Sequence, residues 1–142
     1  PLAKSSKLDI RLETLMPDMA VYANGDRLCQ VFINLISNAI KYNDSADPHV
    51  VIAMKKVGKR LHISFQDNGP GIAAKDRKRV FNKFSRGHRD ISHNQTGSGL
   101  GLAISSQIVQ HFDGKLELTR GSKAGACFRV TLPLAQEAKA AE

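Results

Sequence analysis

The chain has 142 residues, 42% of them apolar, and 21 Lys and Arg against 13 Asp and Glu give a formal charge of +8. That length supports one domain with a proper core and is too short for two. No apolar run approaches a membrane span, the opening Pro1-Leu2-Ala3-Lys4-Ser5 lacks a signal-peptide layout, and two cysteines without neighbouring histidines make neither a disulfide framework nor a zinc site.

Taken in order, residues 8–13 alternate with period two and predict an amphipathic strand. Val21-Tyr22-Ala23 reads as a short second strand. Asn24-Gly25-Asp26 supplies a helix start, with Asn24 or Asp26 as cap, and the helix is expected over residues 27–42. After the turn residues 43–48, strands are expected over 49–57 and 60–66, joined as a hairpin by Gly58-Lys59. A short helix is expected over 75–84, a mobile polar loop over 85–96, and a helix over 99–112 with Gly114 as its stop. Residues 115–120 and 126–134 close the chain as a strand pair, with Ala126, Phe128, Val130 and Leu132 on one face. Cys29 and Cys127 lie in apolar patterns and read as buried free thiols. The expectation is a single α+β domain over residues 1–142. It is a two-layer sandwich whose mixed, mostly antiparallel sheet is covered on one face by three helices, with its core over about 8–134 and a frayed tail from 135.

Between Lys75 and Arg89 stand seven Lys and Arg with only Asp76 among the acids. Such a stretch suits a polyphosphate, an acidic partner or nucleic acid, and equally a solvated basic face. The aromatic residues are too few for a nucleic-acid stacking platform. His88-Arg89-Asp90 imitates a protein-kinase catalytic loop, but Gln95 stands where that motif needs Asn and no Asp-Phe-Gly exists.

On the helix at 27–42, Leu28, Val31, Phe32, Leu35, Ile36, Ala39 and Ile40 cover a wide apolar arc, and Asn34, Asn38 and Lys41 share the remaining polar stripe. A polar stripe ordinarily faces water, yet Asn is a poor helix-interior residue, so two stacked one turn apart suggest a purpose. Amide oxygens are hard ligands suited to Mg²⁺, and Lys41 lies where it could neutralise phosphate. In the strand at 60–66, the period of Leu61, Ile63 and Phe65 carries Asp67 inward at the strand end. A buried carboxylate needs donors. These are either the amides of the Asn68-Gly69-Pro70-Gly71 turn or the exocyclic amino group of adenine, with Gly69 and Gly71 letting backbone approach a flat base. Gly97-Ser98-Gly99-Leu100-Gly101 opens the later helix and would present free amides to an anion. It is neither Gly-x-Gly-x-x-Gly nor a Gly-Lys-Ser/Thr loop, so Rossmann and Walker readings fail. Phe81 and Phe84 read first as core residues anchoring one end of the 85–96 loop.

Five segments occur in order: 34–42, 67–72, 81–84, 97–101 and 121–125. Together they resemble the N, G1, F, G2 and G3 boxes of the histidine-kinase ATP-binding catalytic domain, of the Bergerat-fold superfamily shared with gyrase, Hsp90 and MutL. The resemblance covers about residues 21–134. It implies ATP and Mg²⁺ as cofactors, with Asn38 a metal ligand supported by Asn34, Lys41 on phosphate and Tyr42 beside the base. It also implies that Asp67 reads the adenine amino group, with Gly69, Gly71 and Ile72 along the base. Residues 85–96 become the ATP lid, Arg86 the lid arginine, and Phe84, Thr96, Gly97, Ser98, Gly99, Leu100 and Gly101 line the nucleotide. The third glycine segment matches loosely at Gly121 and Gly125, and no ligand contact is assigned to it.

Hydrolytic members of that superfamily carry Glu four residues before the metal asparagine, whereas Asn34 stands there in this chain. An amide cannot accept the proton of an attacking water, so transfer to a protein side chain is favoured over hydrolysis. His49, His62, His88, His93 and His111 all lack the context of a phosphoacceptor histidine. The resemblance therefore implies a donor half: a cytoplasmic domain, or the cytoplasmic part of a membrane-anchored sensor, without membrane contact or nucleic acid of its own. Its partners would be a separate dimerisation and phosphoacceptor domain and, downstream, a response regulator. Two alternatives stand beside it: a non-catalytic nucleotide-binding regulatory or interaction domain on the same fold, and a basic nucleic-acid-binding module.

Overall fold

The computed structural model describes residues 9–13, 19–77, 79–81, 101–119 and 125–135. Five strands make one sheet: β1 (Asp9–Glu13), β2 (His49–Val57), β3 (Arg60–Asp67), β4 (Lys115–Thr119) and β5 (Cys127–Pro133), in the order β1-β2-β3-β5-β4. Only β1 and β2 run parallel; the other pairings are antiparallel. The helices α1 (Gly25–Tyr42) and α2 (Gly101–His111) cover one face, α1 over β2 and β3, α2 over β4 and β5. This is the mixed two-layer sandwich that the alternation of patterns predicts.

Local chemistry explains the two main elements. Asn24 sits in extended backbone and its side chain accepts from the Arg27 N–H at 3.1 Å, which starts α1. Asp26 in the first turn and Lys41 in the last turn suit the helix dipole. Val31, Leu35 and Ala39, four residues apart, point straight into the core, and Phe32 packs its ring 5.5 Å from that of Phe65 on β3. The inward side of β5 is Phe128, Val130 and Leu132, all buried, with Ala126 and Leu134 continuing the row at either end.

Several expectations are corrected. Cys29 is exposed, not buried, because it lies on the far side of α1 from Val31, as does the exposed Ile33; Cys127 is partly exposed on the helix-free sheet face, and both thiols are free. Val21-Tyr22-Ala23 does not form a strand; Val21 makes one antiparallel bridge to Leu134. Where a helix over 75–84 is expected, the described residues form a 3-10 turn, Ala74–Asp76, and turns at 77 and 79–81, while 78 and 82–84 lie outside the described residues. Lys75 and Arg79, four apart, would repel on an α-helix. Instead Arg79 pairs with buried Asp76 at 2.9 Å, Arg77 donates to the Leu118 carbonyl at 3.2 Å, and Phe81 sets its ring edge-on to Phe128. Gly114 is not the left-handed residue that ends α2. Asp113 takes that role at φ 61°, with Asp113 N–H bonded to Gln110 O and Gly114 N–H to Val109 O, the Schellman pattern. Gly114 is small for another reason: a Cβ there would stand 2.2 Å from the Thr131 carbonyl oxygen.

No helix among the described residues is long and apolar enough to cross a membrane. The helix-free sheet face carries charge. Glu117 on β4 faces Arg129 on β5 in register, Nη2 to Oε2 at 2.7 Å, with Lys115 at 3.7 Å. The Arg129 hydrogen bond holds the Glu117 carboxyl below its usual 4.5. A lowered carboxyl stabilises the fold above that usual value and loses the contribution as pH falls through its folded value. Burial, then the charge of Arg129, also lowers His62 on the same face, so its protonation opposes folding in the same direction. The expected result is that Glu117→Gln flattens the acid-side fall of the thermal unfolding midpoint below pH 4.5 while changing little at neutral pH beyond the lost pair. An unchanged acid slope would show that the Glu117–Arg129 pair contributes nothing on folding.

Candidate nucleotide site

Along β3 the inward residues Leu61, Ile63, Phe65 and Asp67 are all at most 5% exposed, so the carboxylate stands at the end of an apolar row. One of its oxygens is fully committed. Oδ1 accepts from Gly69 N–H at 2.9 Å and from Ala126 N–H at 3.0 Å, while Asp67 N–H donates to Ala126 O at 2.9 Å. No described residue donates to Oδ2. The turn-cap reading therefore accounts for half of the carboxylate. The cap also fixes how the other half is presented.

The backbone beside Asp67 is closely stacked. Gly125, at φ 99°, lies so near that a Cβ would meet the Asp67 carbonyl oxygen at 2.1 Å; Gly71 in turn faces the Gly125 carbonyl, 3.3 Å from where its own Cβ would be. Gly125 belongs to the segment given no role from sequence. Its signal was the glycine itself. Ala126 contributes only backbone, which no side-chain pattern announces. Ile72 lies partly buried against the core at the loop's exit.

Two asparagines bind this loop to the end of α1. Asn43 Nδ2 donates to Asn68 Oδ1 at 2.7 Å, His49 N–H donates to the same oxygen at 2.9 Å, and Asn68 Nδ2 donates to the Asp47 carbonyl at 2.8 Å. Asn43 Oδ1 accepts from the backbone and the hydroxyl of Ser45. The turn after Asp67 is thereby held against the residues that follow Lys41 and Tyr42. Neither asparagine was singled out as a site residue beforehand. Asn68→Ala is expected to lower unfolding free energy by about 1–3 kcal/mol, since it strands the Asn43 amide and the His49 N–H together. Urea unfolding of wild type and variant measures this, and an unshifted midpoint would mean water replaces the network at no cost.

On α1, the polar stripe divides. Asn34 does not simply face water: its Nδ2 donates to Ser105 Oγ at 3.0 Å and approaches the Gly101 carbonyl at 3.4 Å, both on α2. Asn38 and Lys41 are partly exposed, and their side chains form no hydrogen bond or ion pair with any described residue. No group of three or more His, Cys, Asp or Glu that could hold a metal exists among the described residues. The available donor set is amide oxygen, which fits a magnesium ion that takes the rest of its shell from phosphate and water. The first turn of α2 at Gly101, the middle of α1 at Asn34, and the Asp67 loop beyond its end are thus linked by side-chain hydrogen bonds.

Phe84, Arg86, Thr96, Gly97, Ser98, Gly99 and Leu100 lie outside the described residues, as do the whole 85–96 loop and the side chain of Tyr42. Of the basic stretch, Arg77 and Arg79 are engaged within the fold rather than wholly solvated.

The family described as Histidine kinase-, DNA gyrase B-, and HSP90-like ATPase matches residues 23–136. Sensor histidine kinase RcsC of Escherichia coli (strain K12) is 38% identical over 120 residues, 83% of this chain and 12% of that protein. Sensor protein KdpD of the same strain is 36% identical over 124 residues, 87% of this chain and 14% of that protein. The crystal structure of full-length ShkA in complex with AMPPNP superposes with a TM-score of 0.78 at 29% identity, over 95% of this chain and 27% of that one. The chain spans only a small fraction of the curated relatives' length. With the family matched across most of its length, this chain belongs to the histidine kinase-, DNA gyrase B- and HSP90-like ATPases.

Proposed function

We propose that this domain binds Mg-ATP and donates the γ-phosphoryl group to a histidine on a separate dimerisation and phosphoacceptor domain of a sensor histidine kinase, upstream of a response regulator. The observation that carries the reading is the divided carboxylate of Asp67: one oxygen tied to two backbone amides, the other without a donor among the described residues, beside a floor of glycine backbone. An acceptor so presented suits the adenine amino group and repels the guanine oxygen at the same place. Its placement in the cell would be cytoplasmic, alone or as part of an anchored sensor.

The mechanism asks little covalent chemistry of the protein, because phosphoryl transfer depends on positioning and electrostatics. Asp67 and the backbone of Gly69 and Gly71 would orient the base. Lys41 would oppose phosphate charge from the last turn of α1, and Arg86 would do so from the lid. Amides of Gly97, Gly99 and Gly101 at the start of α2 would hold the phosphate chain. Asn38, with Asn34 in support, would hold magnesium, which when bound neutralises phosphate oxygens. Asn34 offers no base for water, so the γ-phosphoryl group is kept for the imidazole of the acceptor, whose attack releases ADP. That choice separates this chain from hydrolytic relatives of its fold.

Mixing the domain with the phosphoacceptor domain of its own kinase and γ-labelled ATP tests the proposal. The expected product is an acid-labile, base-stable phosphate on the acceptor. ATP binding without any such product would make this a regulatory nucleotide-binding domain instead.

A further inference from the structure

Ser105 is the only fully buried hydroxyl-bearing residue of α2, at 0% exposure, in a helix where neither the core nor the solvent calls for a polar group at that position. Its neighbours in the inward row are Ala103, Ile108 and Val109. A buried hydroxyl costs stability unless it is hydrogen-bonded, and the bond it accepts comes from outside its own helix: Asn34 Nδ2, 3.0 Å away on α1. The second acceptor near that nitrogen is the Gly101 carbonyl, which has no hydrogen to give. The amide must therefore turn its NH₂ towards α2, and its Oδ1 is left pointing the other way from the bond pair. A Cβ on Gly101 would come 4.0 Å from the Asn34 amide carbon, so the first turn of α2 rests directly on this side chain.

We propose that Ser105 is a positioning residue for the nucleotide site. With the Gly101 carbonyl it locks the Asn34 amide, and through that amide it sets the first turn of α2 against the middle of α1. The inference rests on the reading of the site as one for Mg-ATP, and it goes further: it places the orientation of Asn34, and the spacing between the phosphate-binding end of α2 and the amide stripe of α1, under the control of one buried hydroxyl that touches no ligand. Asn34 then acts first as a clamp between helices. Whatever its Oδ1 does toward magnesium follows from how the clamp holds it, as outer hydrogen bonds orient ligands in metal sites generally.

The test is a double-mutant cycle on nucleotide binding by the isolated chain, read by calorimetry with a non-hydrolysable ATP analogue, with and without Mg²⁺. Ser105→Ala removes one acceptor in a site small enough to stay packed, and Asn34→Ala removes the donor. The clamp predicts that each weakens binding by about three- to tenfold, the worth of one hydrogen bond, and that the double variant is no weaker than Asn34→Ala alone. It also predicts that Ser105→Ala reduces the gain in affinity that Mg²⁺ confers, a readout that a loss of general stability does not move. Ser105→Cys, which keeps the volume and a weak acceptor, should fall between wild type and Ser105→Ala. Multiplying effects of the two substitutions would overturn the clamp and leave Asn34 acting alone on the ligand. A lowered melting point with unchanged affinity would overturn it too, making Ser105 a packing residue. If wild-type chain itself binds no analogue, the Mg-ATP reading fails, and the cycle on the unfolding midpoint still decides whether the two side chains are coupled.

Discussion

Asp67→Asn is expected to leave the domain folded and to weaken ATP binding by more than tenfold. The two parts of that result come from the two ends of one side chain. An asparagine retains an oxygen that can accept from Gly69 N–H and Ala126 N–H, the two donors that hold Oδ1 at 2.9 and 3.0 Å. The turn and the approach of β5 are thus preserved, less the charge on the bond. At the other end the acceptor becomes an NH₂ group, which meets the adenine amino group as donor against donor. Losing a charge-assisted hydrogen bond costs about 1.5–3 kcal/mol, and a tenfold change in affinity is about 1.4 kcal/mol. Calorimetry with ATP and with GTP measures both the loss and the narrowing of preference between the two bases. Asp67→Ala serves as the contrast: it leaves both backbone amides without their acceptor in a buried site, so its melting point should fall further than that of Asp67→Asn. A folded Asp67→Asn variant with undiminished ATP affinity would reduce Asp67 to a turn cap and withdraw the observation on which the proposed function stands.

Much of this arrangement is legible from periodicity. The inward run of Leu61, Ile63, Phe65 and Asp67 follows from a period of two, and the buried row of Val31, Leu35 and Ala39 from a period near four; both describe faces, and faces are what patterns encode. The hairpin between β2 and β3 turns at Gly58-Lys59, with Gly58 at φ 62°, as its glycine announces. What patterns do not carry is the partner across space. Nothing in the spacing of Asn34, Asn38 and Lys41 says that the first of them donates to Ser105, a residue 71 positions away, while the other two find no described partner. Asp113 at φ 61° shows the same limit on a smaller scale. The neighbouring glycine is the better left-handed residue by propensity. Yet Gly114 is needed where β5 passes closest, so the aspartate accepts the strained backbone. The expected helix at 75–84 fails over its described residues for a related reason: Arg79 and Arg77 are drawn off to Asp76 and to the Leu118 carbonyl.

Gly125→Ala is expected to damage fold and site together. At φ 99° the backbone is one that side-chain-bearing residues rarely adopt, and the added Cβ would stand 2.1 Å from the Asp67 carbonyl oxygen, 2.8 Å from its carbon and 2.9 Å from Oδ1. Those atoms are backbone, or the carboxylate fixed by it, and none can swing aside. The strand must retreat, which stretches both the Asp67 N–H to Ala126 O bond and the Ala126 N–H to Oδ1 bond, at 2.9 and 3.0 Å in the wild type. Steric strain, unusual backbone and two weakened buried bonds together are expected to cost about 3–5 kcal/mol, a large part of the roughly 5–15 kcal/mol that holds a domain of this kind folded. Gly114→Ala is the control that separates the two effects. Its Cβ would collide as badly, 2.2 Å from the Thr131 oxygen, but towards the other end of β5 and without touching Asp67. Unfolding midpoints should fall for both variants. Nucleotide affinity of whatever protein remains folded in the cold should fall for Gly125→Ala alone, because only there does the displaced backbone abut Asp67, whose Oδ2 is proposed to read the base. Equal affinities for the two variants would mean that the carboxylate keeps its aim without the strand that abuts it, and that the cap on Oδ1 is not what presents Oδ2.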